Sequence, residues 1–270
     1  MPHLRTKRGL DWYYTLDGTG EVLVLIHGWA GDSQLWIQQR EYFIKDYRVI
    51  TIDLPGHGDS SWKKLSLKEI VVDLNEILKK LRVWKINVIG SSLGGLVALK
   101  LFGFDPDRVT RVILVGALPK FCQSAGYPFG LKRERIRMLG KQVKTDYPEI
   151  VNIFFRSLFT MQERQSPRFK WLNQFRKREQ IPQQEALQGF LEILEKEDAR
   201  EDFQKVIKMQ KPFQILNGTD DYICSQEAIQ FLKTQYPQIK VDFFQHCGHF
   251  PFLTKPLEFN QAVEHFLRKQ

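Results

Sequence analysis

The stretch Gly90-Ser91-Ser92-Leu93-Gly94 places two adjacent serines between glycines. An apolar run over 86–90 precedes it, and a helical pattern over 93–104 follows it. A G-x-S-x-G sequence in that setting forms a sharp strand-to-helix turn that lifts its middle residue above a sheet. The N-terminus of the helix behind that residue supplies backbone N–H groups for a developing negative charge. The pattern therefore predicts that Ser92, and not Ser91, is a nucleophile.

A serine hydroxyl needs a base to take its proton, and the base needs a carboxylate to orient it. Both residue types follow later in the chain, each just after an apolar, strand-like run. We assign Asp221 as the acid, with the adjacent Asp220 as the alternative. We assign His249 as the base, with His246 as the alternative. The chain order of serine, acid and histidine is the order found in G-x-S-x-G hydrolases.

Attack by Ser92 on a carbonyl would create an oxyanion, which needs two backbone N–H donors. We assign one donor to Leu93, directly after the nucleophile. We assign the other to Trp29, in the glycine-rich segment that follows the first apolar run. His57 lies in the turn Leu54-Pro55-Gly56-His57-Gly58-Asp59-Ser60, and we interpret it as a structural residue.

Six short apolar runs, rich in valine and isoleucine, are predicted to be the strands that position these residues. They cover 22–27, 47–53, 86–90, 109–116, 212–216 and 239–244. Helical patterns alternate with them at 33–45, 66–82, 93–104, 225–235 and 256–268. This alternation predicts an α/β fold with a mostly parallel, doubly wound sheet. The run over 10–16 is predicted to add an antiparallel strand at one edge.

The segment 118–200 breaks the alternation, because it contains no strand-like run and several helical stretches. We interpret it as a helical cap inserted into a hydrolase core formed by 1–117 and 201–270. Residues 119–180 hold fourteen basic and five acidic side chains, an excess equal to the net charge of the whole protein, +9. A basic cap favours an acidic partner, while a solvated helical face is the alternative. We do not expect nucleic acid, because no nucleic-acid-binding motif accompanies the charge.

Composition gives further evidence on the class of protein to which this chain belongs. The chain has 270 residues, of which 43% are hydrophobic and 26% charged, as in an ordinary globular protein. No apolar run approaches the length of a membrane span, and no apolar segment follows the basic N-terminus. The three cysteines include no CxxC pair, so neither a disulfide framework nor a zinc site is indicated. We expect a cytoplasmic protein whose chemistry requires no metal or organic cofactor.

These motifs resemble the α/β-hydrolase superfamily over nearly the whole chain, and within it the pimeloyl-ACP methyl ester carboxylesterases of biotin synthesis. The segments that carry the narrower resemblance are His27-Gly28-Trp29, the DLPGHGDS stretch at 53–60, SLGGLVA at 92–98, HFPFLTKP at 249–256, and GFLEIL at 189–194 followed by Asp198-Ala199-Arg200. The chain departs from that family at Ser91, where tryptophan is frequent, and at Ile223-Cys224-Ser225, where proline is common.

The resemblance implies a carboxylesterase that cleaves the methyl ester of pimeloyl-ACP. Its implied partner is the acidic acyl carrier protein. Cap residues that we assign to this partner's surface are Arg133, Arg135, Arg137, Arg156 and Arg168. Aromatic cap residues that could line an acyl channel are Phe129, Phe154, Phe155 and Phe159, and we assign Phe155 to the substrate-binding site.

Other activities share the same three residues. A general carboxylesterase or lipase, a carbon–carbon bond hydrolase and a cofactor-free peroxidase all remain open. Epoxide hydrolases and haloalkane dehalogenases are disfavoured, because their nucleophile is aspartate and here it is Ser92. A small-molecule receptor built on this fold is a further alternative from a different class.

Overall fold

A computed structural model of the chain describes residues 2–176 and 181–268. Within these residues, eight strands form one sheet. The strands are β1 (His3–Arg5), β2 (Asp11–Asp17), β3 (Val22–Ile26), β4 (Arg48–Ile52), β5 (Ile86–Ser91), β6 (Val109–Val115), β7 (Phe213–Gly218) and β8 (Lys240–Phe244). Their order across the sheet is β1-β2-β4-β3-β5-β6-β7-β8. The pairs β1/β2 and β2/β4 are antiparallel, and every other pair is parallel.

The middle of the sheet is buried on both faces, because its strands have few polar residues to turn toward water. In β3 the sequence Val-Leu-Val-Leu-Ile has four fully buried residues, and all six residues of β5 are buried. Continuous apolar runs of this kind are typical of parallel strands covered by helices. The predicted strands match the observed ones to within two residues at each end.

One prediction about the sheet was wrong. The run over 10–16 does form the antiparallel strand β2, but β2 is not at the edge. The three-residue strand β1 pairs outside it, with His3 opposite Tyr13. A strand of only three residues, His-Leu-Arg, is too short to show a hydrophobic pattern.

The described residues also form a series of helices. They are α1 (Ile37–Phe43), α2 (Leu67–Lys80), α3 (Leu93–Phe104), α4 (Arg133–Thr145), α5 (Glu149–Ser157), α6 (Met161–Gln165), α7 (Pro167–Arg176), α8 (Gln184–Lys196), α9 (Arg200–Lys208), α10 (Gln226–Gln235), α11 (Pro251–Thr254) and α12 (Pro256–Arg268). Helix α3 is apolar on nearly every side and packs on β5 and β6. No helix among the described residues is long and apolar enough to cross a membrane.

Helices α4 to α8 follow one another between β6 and β7, where the sequence predicts the cap. The two ends of this segment are tied together at the sheet. The Ala199 N–H donates to the Pro119 carbonyl at 2.8 Å, and Lys120 Nζ lies 3.0 Å from a carboxylate oxygen of Asp198. The division of the chain into a core and a cap at 118–200 stays a prediction.

Candidate active site

The turn between β5 and α3 presents Ser92 in an unusual backbone conformation. Ser92 has φ 52° and ψ −117°, a sparsely populated region that costs about 1–3 kcal/mol when it is held. Its N–H donates to the Val115 carbonyl at 2.9 Å, which helps to fix the turn. A Cβ on Gly94 would lie 2.3 Å from the Ile26 carbonyl oxygen, so only glycine lets α3 start this close to β3. Ser91 is fully buried, whereas Ser92 lines a cavity.

The loops after β7 and β8 bring an acid and a histidine together. The imidazole Nδ1 of His249 lies 2.7 Å from Oδ2 of Asp221. The other carboxylate oxygen of Asp221 accepts the backbone N–H groups of Ile223 at 2.8 Å and Cys224 at 3.0 Å. Both side chains are buried. Because Nδ1 donates its proton to the carboxylate, Nε2 is left as the nitrogen that can accept a proton.

The alternative acid and base lie elsewhere. Asp220 is exposed, and its carboxylate accepts the hydroxyl of Thr219 at 2.9 Å. His246 is exposed as well, on the loop after β8. The structure therefore pairs the two residues that we assigned, Asp221 and His249, and leaves their alternatives at the surface.

Two backbone N–H groups next to Ser92 are candidates for the oxyanion site. Trp29 and Leu93 are buried, and within residues 2–176 and 181–268 neither backbone N–H donates a hydrogen bond. Gly28, which precedes Trp29, approaches so closely that a Cβ on it would lie 3.0 Å from Cβ of Ser92. The Trp29 indole donates to the Leu187 carbonyl of α8 at 2.9 Å, so the cap also fixes this loop.

A cavity of about 210 Å³ lies between these loops and the cap. Ser92, His249 and Trp29 line it, and apolar side chains of α4, α5 and α8 form most of the remaining lining. Arg135 is among its few polar lining residues. Such a cavity, mostly apolar and lined by a few polar groups, is typical of a small-molecule site.

Residues 21–256 match the family model described as the alpha/beta hydrolase fold. The chain belongs to this family. That result confirms the predicted fold class and the resemblance to the superfamily.

Two curated relatives carry the same name, pimeloyl-[acyl-carrier protein] methyl ester esterase. The protein from Nitrosomonas europaea is 31% identical over 242 residues, which cover 90% of this chain and 94% of the relative. The protein from Salmonella typhimurium is 30% identical over 255 residues, which cover 93% of this chain and 96% of the relative. These similarities confirm the predicted enzyme class, a carboxylic ester hydrolase, and the narrower resemblance.

Solved structures agree on the fold. An esterase from Exiguobacterium antarcticum superposes with a TM-score of 0.88 at 23% identity, covering 99% of both chains. A bromoperoxidase from Bacillus anthracis superposes with a TM-score of 0.87 at 26% identity, covering 99% of this chain and 100% of the other. Members of one fold thus carry different names, because activity depends on the residues of the site and not on the fold alone.

The aromatic residue assigned to the substrate site does not line the cavity. The Phe155 ring is buried between the rings of Phe159, at 5.0 Å, and Phe250, at 5.6 Å. Its neighbour Phe154 lines the cavity instead and meets the Trp29 ring edge-on at 4.8 Å. The sequence holds no signal that distinguishes two consecutive phenylalanines, because the rotation of α5 decides which one faces the cavity.

Four of the five arginines assigned to a partner surface are exposed. Arg133 and Arg137 both reach Glu195 of α8, at 3.7 and 2.9 Å, yet more than half of each side chain remains accessible. Arg135 lies 4.8 Å over the Tyr222 ring, at the cavity. Arg156 is exposed on α5. Two other residues of the basic segment, Lys177 and Arg178, lie outside the described residues.

Arg168 does not fit the role that we assigned to it. Its Nε donates to the Leu253 carbonyl at 2.8 Å, and its guanidinium also bonds the side chain of Gln38. Partial burial lowers the pKa of Arg168. The guanidinium therefore ties α7 to the core of the protein, which leaves it poorly placed to meet a partner.

Cys224 lies beside Asp221 and His249, and the three side chains together offer a set of possible metal ligands. Their ligand atoms lie within 4.8 Å of one another, and all three residues are buried. Burial and the nearby Asp221 carboxylate raise the pKa of the Cys224 thiol well above its usual value. The thiol donates to the Gly116 carbonyl at 3.1 Å. A protonated thiol is a poor metal ligand, and the carboxylate is already engaged, so this donor set does not suit a metal ion.

Proposed function

We propose that this chain is a serine esterase that hydrolyses the methyl ester of a pimeloyl group carried on acyl carrier protein. The observation that carries the proposal is the buried hydrogen bond between Asp221 and His249, at a cavity that Ser92 also lines. The names of curated relatives that match at least nine tenths of the chain support the choice of substrate.

The reaction would run in two halves. Ser92 Oγ attacks the ester carbonyl while His249 Nε2 takes its proton, and Asp221 stabilises the imidazolium that forms. The N–H groups of Trp29 and Leu93 hold the oxyanion. The intermediate collapses to an acyl-enzyme, and methanol leaves with the proton from His249. Water, deprotonated by His249, then releases the acid and restores Ser92.

The cavity supports an acyl substrate. Its lining is mostly apolar, with Phe154, Leu158 and Leu191 among the residues, and such a surface favours a methylene chain. Near Arg135 the cavity is also lined by Met138 and Tyr222, which are partly exposed. The exposed cations of α4 near these lining residues suit the phosphate and carboxylates of an acidic carrier. Charges of this kind mainly raise the association rate, and salt screens them.

Methanol release from methyl pimeloyl-ACP, measured at low and at moderate salt, tests the proposal. Ser92→Ala is the control. We expect rapid release by the unchanged protein, loss of release in the variant, and a lower kcat/KM at moderate salt. The absence of release, together with Ser92-dependent cleavage of p-nitrophenyl butyrate, would contradict the carrier-bound substrate.

An esterase of free short-chain esters is the second candidate. The apolar lining favours it, because an apolar cavity accepts short acyl chains of many kinds. The ratio of kcat/KM for methyl pimeloyl-ACP to that for methyl pimelate separates the two candidates. A ratio near one would favour the free ester.

A further inference from the structure

The loop that carries His249 is bonded to the cap as well as to the core. The His249 backbone N–H donates to the Leu158 carbonyl at 2.9 Å. The preceding N–H, on Gly248, donates to Oε2 of Glu163 at 3.0 Å. Leu158 and Glu163 lie on either side of the turn that joins α5 to α6. One turn of the cap therefore holds two successive peptide groups, those of Gly248 and His249.

Glu163 has more contacts than its helix requires. Its Oε2 also accepts the Thr160 N–H at 2.7 Å, and the Thr160 hydroxyl accepts the Glu163 N–H at 3.0 Å. These two bonds complete a capping box at the start of α6. The further bond to Gly248 adds nothing to that box. It links the box to the loop of the base.

A second capping box in the chain shows how unusual this burial is. Glu69 closes the same kind of box with Ser66 at the start of α2, and it is only partly buried. Glu163 is only 9% exposed, and its Oε1 has no hydrogen-bond partner among the described residues. Burying a carboxylate is costly unless its hydrogen bonds compensate. A role in helix capping alone would not require the Glu163 carboxylate to be buried at that cost.

The neighbouring residues fit the contact closely. A Cβ on Gly248 would lie 2.4 Å from the Leu158 carbonyl oxygen and 3.0 Å from Oε2 of Glu163, so a side chain there would force the cap away. Burial and the nearby Glu163 carboxylate also raise the pKa of the Cys247 thiol. Three consecutive residues, 247–249, thus meet the same turn of the cap.

From these contacts we propose that Glu163 is a positioning residue for His249, the base of the proposed esterase. Asp221 fixes the imidazole through Nδ1, whereas Glu163 and the Leu158 carbonyl fix the backbone that carries it. Because one turn of the cap supplies the acceptors for both backbone N–H groups, displacement of that turn would displace the imidazole from Ser92. The inference rests on the proposed function.

The test compares kcat and KM for p-nitrophenyl butyrate across matched variants. Glu163→Ala removes the acceptor, and we expect kcat to fall about 10- to 100-fold with KM changed less than about twofold, as for a misplaced base. Glu163→Gln keeps an acceptor oxygen of the same reach and should restore kcat to within about threefold of the parent value. Glu163→Asp keeps the charge but shortens the side chain, so its kcat should fall as in the alanine variant.

Two controls separate positioning from helix capping. Thr160→Val removes the hydroxyl of the same capping box and leaves the bond to Gly248. Glu69→Ala removes the carboxylate of the other box. Both should keep the parent kcat. Thermal unfolding of every variant reports the folded fraction, and if Glu163→Ala fails to fold, Glu163→Asp carries the test.

Parent kcat in folded Glu163→Ala or Glu163→Asp would overturn the inference, and so would an equal loss in Thr160→Val. Failure of the proposed function gives a different result. In that case Ser92→Ala would retain the parent activity, or methyl pimeloyl-ACP would release no methanol. Persistence of activity in Ser92→Ala would overturn both claims, whereas lack of methanol release alone leaves the role of Glu163 intact.

Discussion

His57 and His249 both lie in glycine-containing loops at the carboxyl ends of strands, and both are buried. They differ in their partners. Nδ1 of His249 bonds the Asp221 carboxylate at 2.7 Å, whereas Nδ1 of His57 lies 3.1 Å from the Pro55 carbonyl. Burial, with a smaller effect of the nearby His27, lowers the pKa of His57 to about 3. A buried histidine without a carboxylate thus stays neutral, and a neutral ring of this kind serves the packing of loops.

The carboxylates of the two loops differ in the same way. Asp53 accepts the backbone N–H groups of Ser33 at 2.7 Å and Asp59 at 2.9 Å, one on each oxygen. Asp221 gathers its two backbone donors on one oxygen and leaves the other for the imidazole. The two buried acids therefore differ in their bonding: Asp53 has a backbone donor on each oxygen, whereas Asp221 has one oxygen bonded to an imidazole.

The largest expected difference is between substitutions of the two histidines. We expect His249→Gln to lower kcat by about 10⁵-fold, because no base then takes the proton of Ser92. His57→Gln should change kcat less than about threefold and lower the free energy of unfolding by about 1–2 kcal/mol. Steady-state kinetics with p-nitrophenyl butyrate and urea unfolding measure the two effects. A comparable loss of kcat in both variants would contradict the distinction.

Substitutions of the two acids should also differ in their effect on kcat, but by a smaller factor. Asp221→Asn should lower kcat about 10⁴-fold, since the imidazole loses its tautomer and its counter-charge. Asp53→Asn should leave kcat nearly unchanged and cost about 1–3 kcal/mol of stability, because one buried N–H loses its acceptor. Near-parent kcat in folded Asp221→Asn would exclude Asp221 as the acid and would favour the alternative, Asp220.

The buried neutral histidines should make stability depend on pH. Burial lowers the pKa of His27 to about 4, and that of His57 to about 3, below the usual value of 6.5. The unfolded chain binds protons below pH 6.5 that the folded chain does not, so stability falls as pH falls through that value toward 4. When the pH is lowered from about 7 to about 5.5, the two rings together should reduce the free energy of unfolding by about 2 kcal/mol.

Urea unfolding at the two pH values measures this cost, and His57→Gln is the matched variant. It should remove about half of the difference, because one of the two rings no longer binds a proton on unfolding. An unfolding free energy that is equal at both pH values in the parent protein would show that the rings are not held neutral by the fold.

The smallest expected effect concerns the arginines of the cap. Arg133→Gln combined with Arg137→Gln should lower kcat/KM for methyl pimeloyl-ACP about threefold to tenfold at low salt, and less at moderate salt, because exposed charges act at long range. Arg168→Gln should instead lower stability with little change in the salt dependence, because its guanidinium bonds Gln38 and the Leu253 carbonyl. If kcat/KM depended equally on salt in all these variants, the basic residues of the cap would form a solvated helical face and not a partner surface.

Local sequence patterns predicted the elements that hold the proposed site. The helix predicted over 93–104 has those bounds in the structure, as does the helix over 256–268. Apolar runs and glycines determine such elements within a few residues of the chain. The chain order of the motif led to Asp221 and His249, whose side chains bond each other in the structure, and their catalytic roles stay a prediction.

What the sequence did not reveal depends on contacts between distant segments. Three features depend on how the cap sits on the core. Phe154 lines the cavity in place of Phe155, and Arg168 bonds the Leu253 carbonyl. Glu163 accepts the backbone N–H of Gly248. The residues Thr160 and Glu163 have the spacing of a capping box, but nothing near them in the sequence shows that the carboxylate reaches a residue 85 positions away.

Labelling with diisopropyl fluorophosphate, followed by mass spectrometry of the peptides, tests the central claim most directly. The reagent phosphorylates a serine only where a base activates its hydroxyl and donors hold the phosphoryl oxygen. We predict a single adduct on Ser92, absent in His249→Gln. An adduct on Ser91, labelling that persists in His249→Gln, or no labelling of the parent protein would contradict the account.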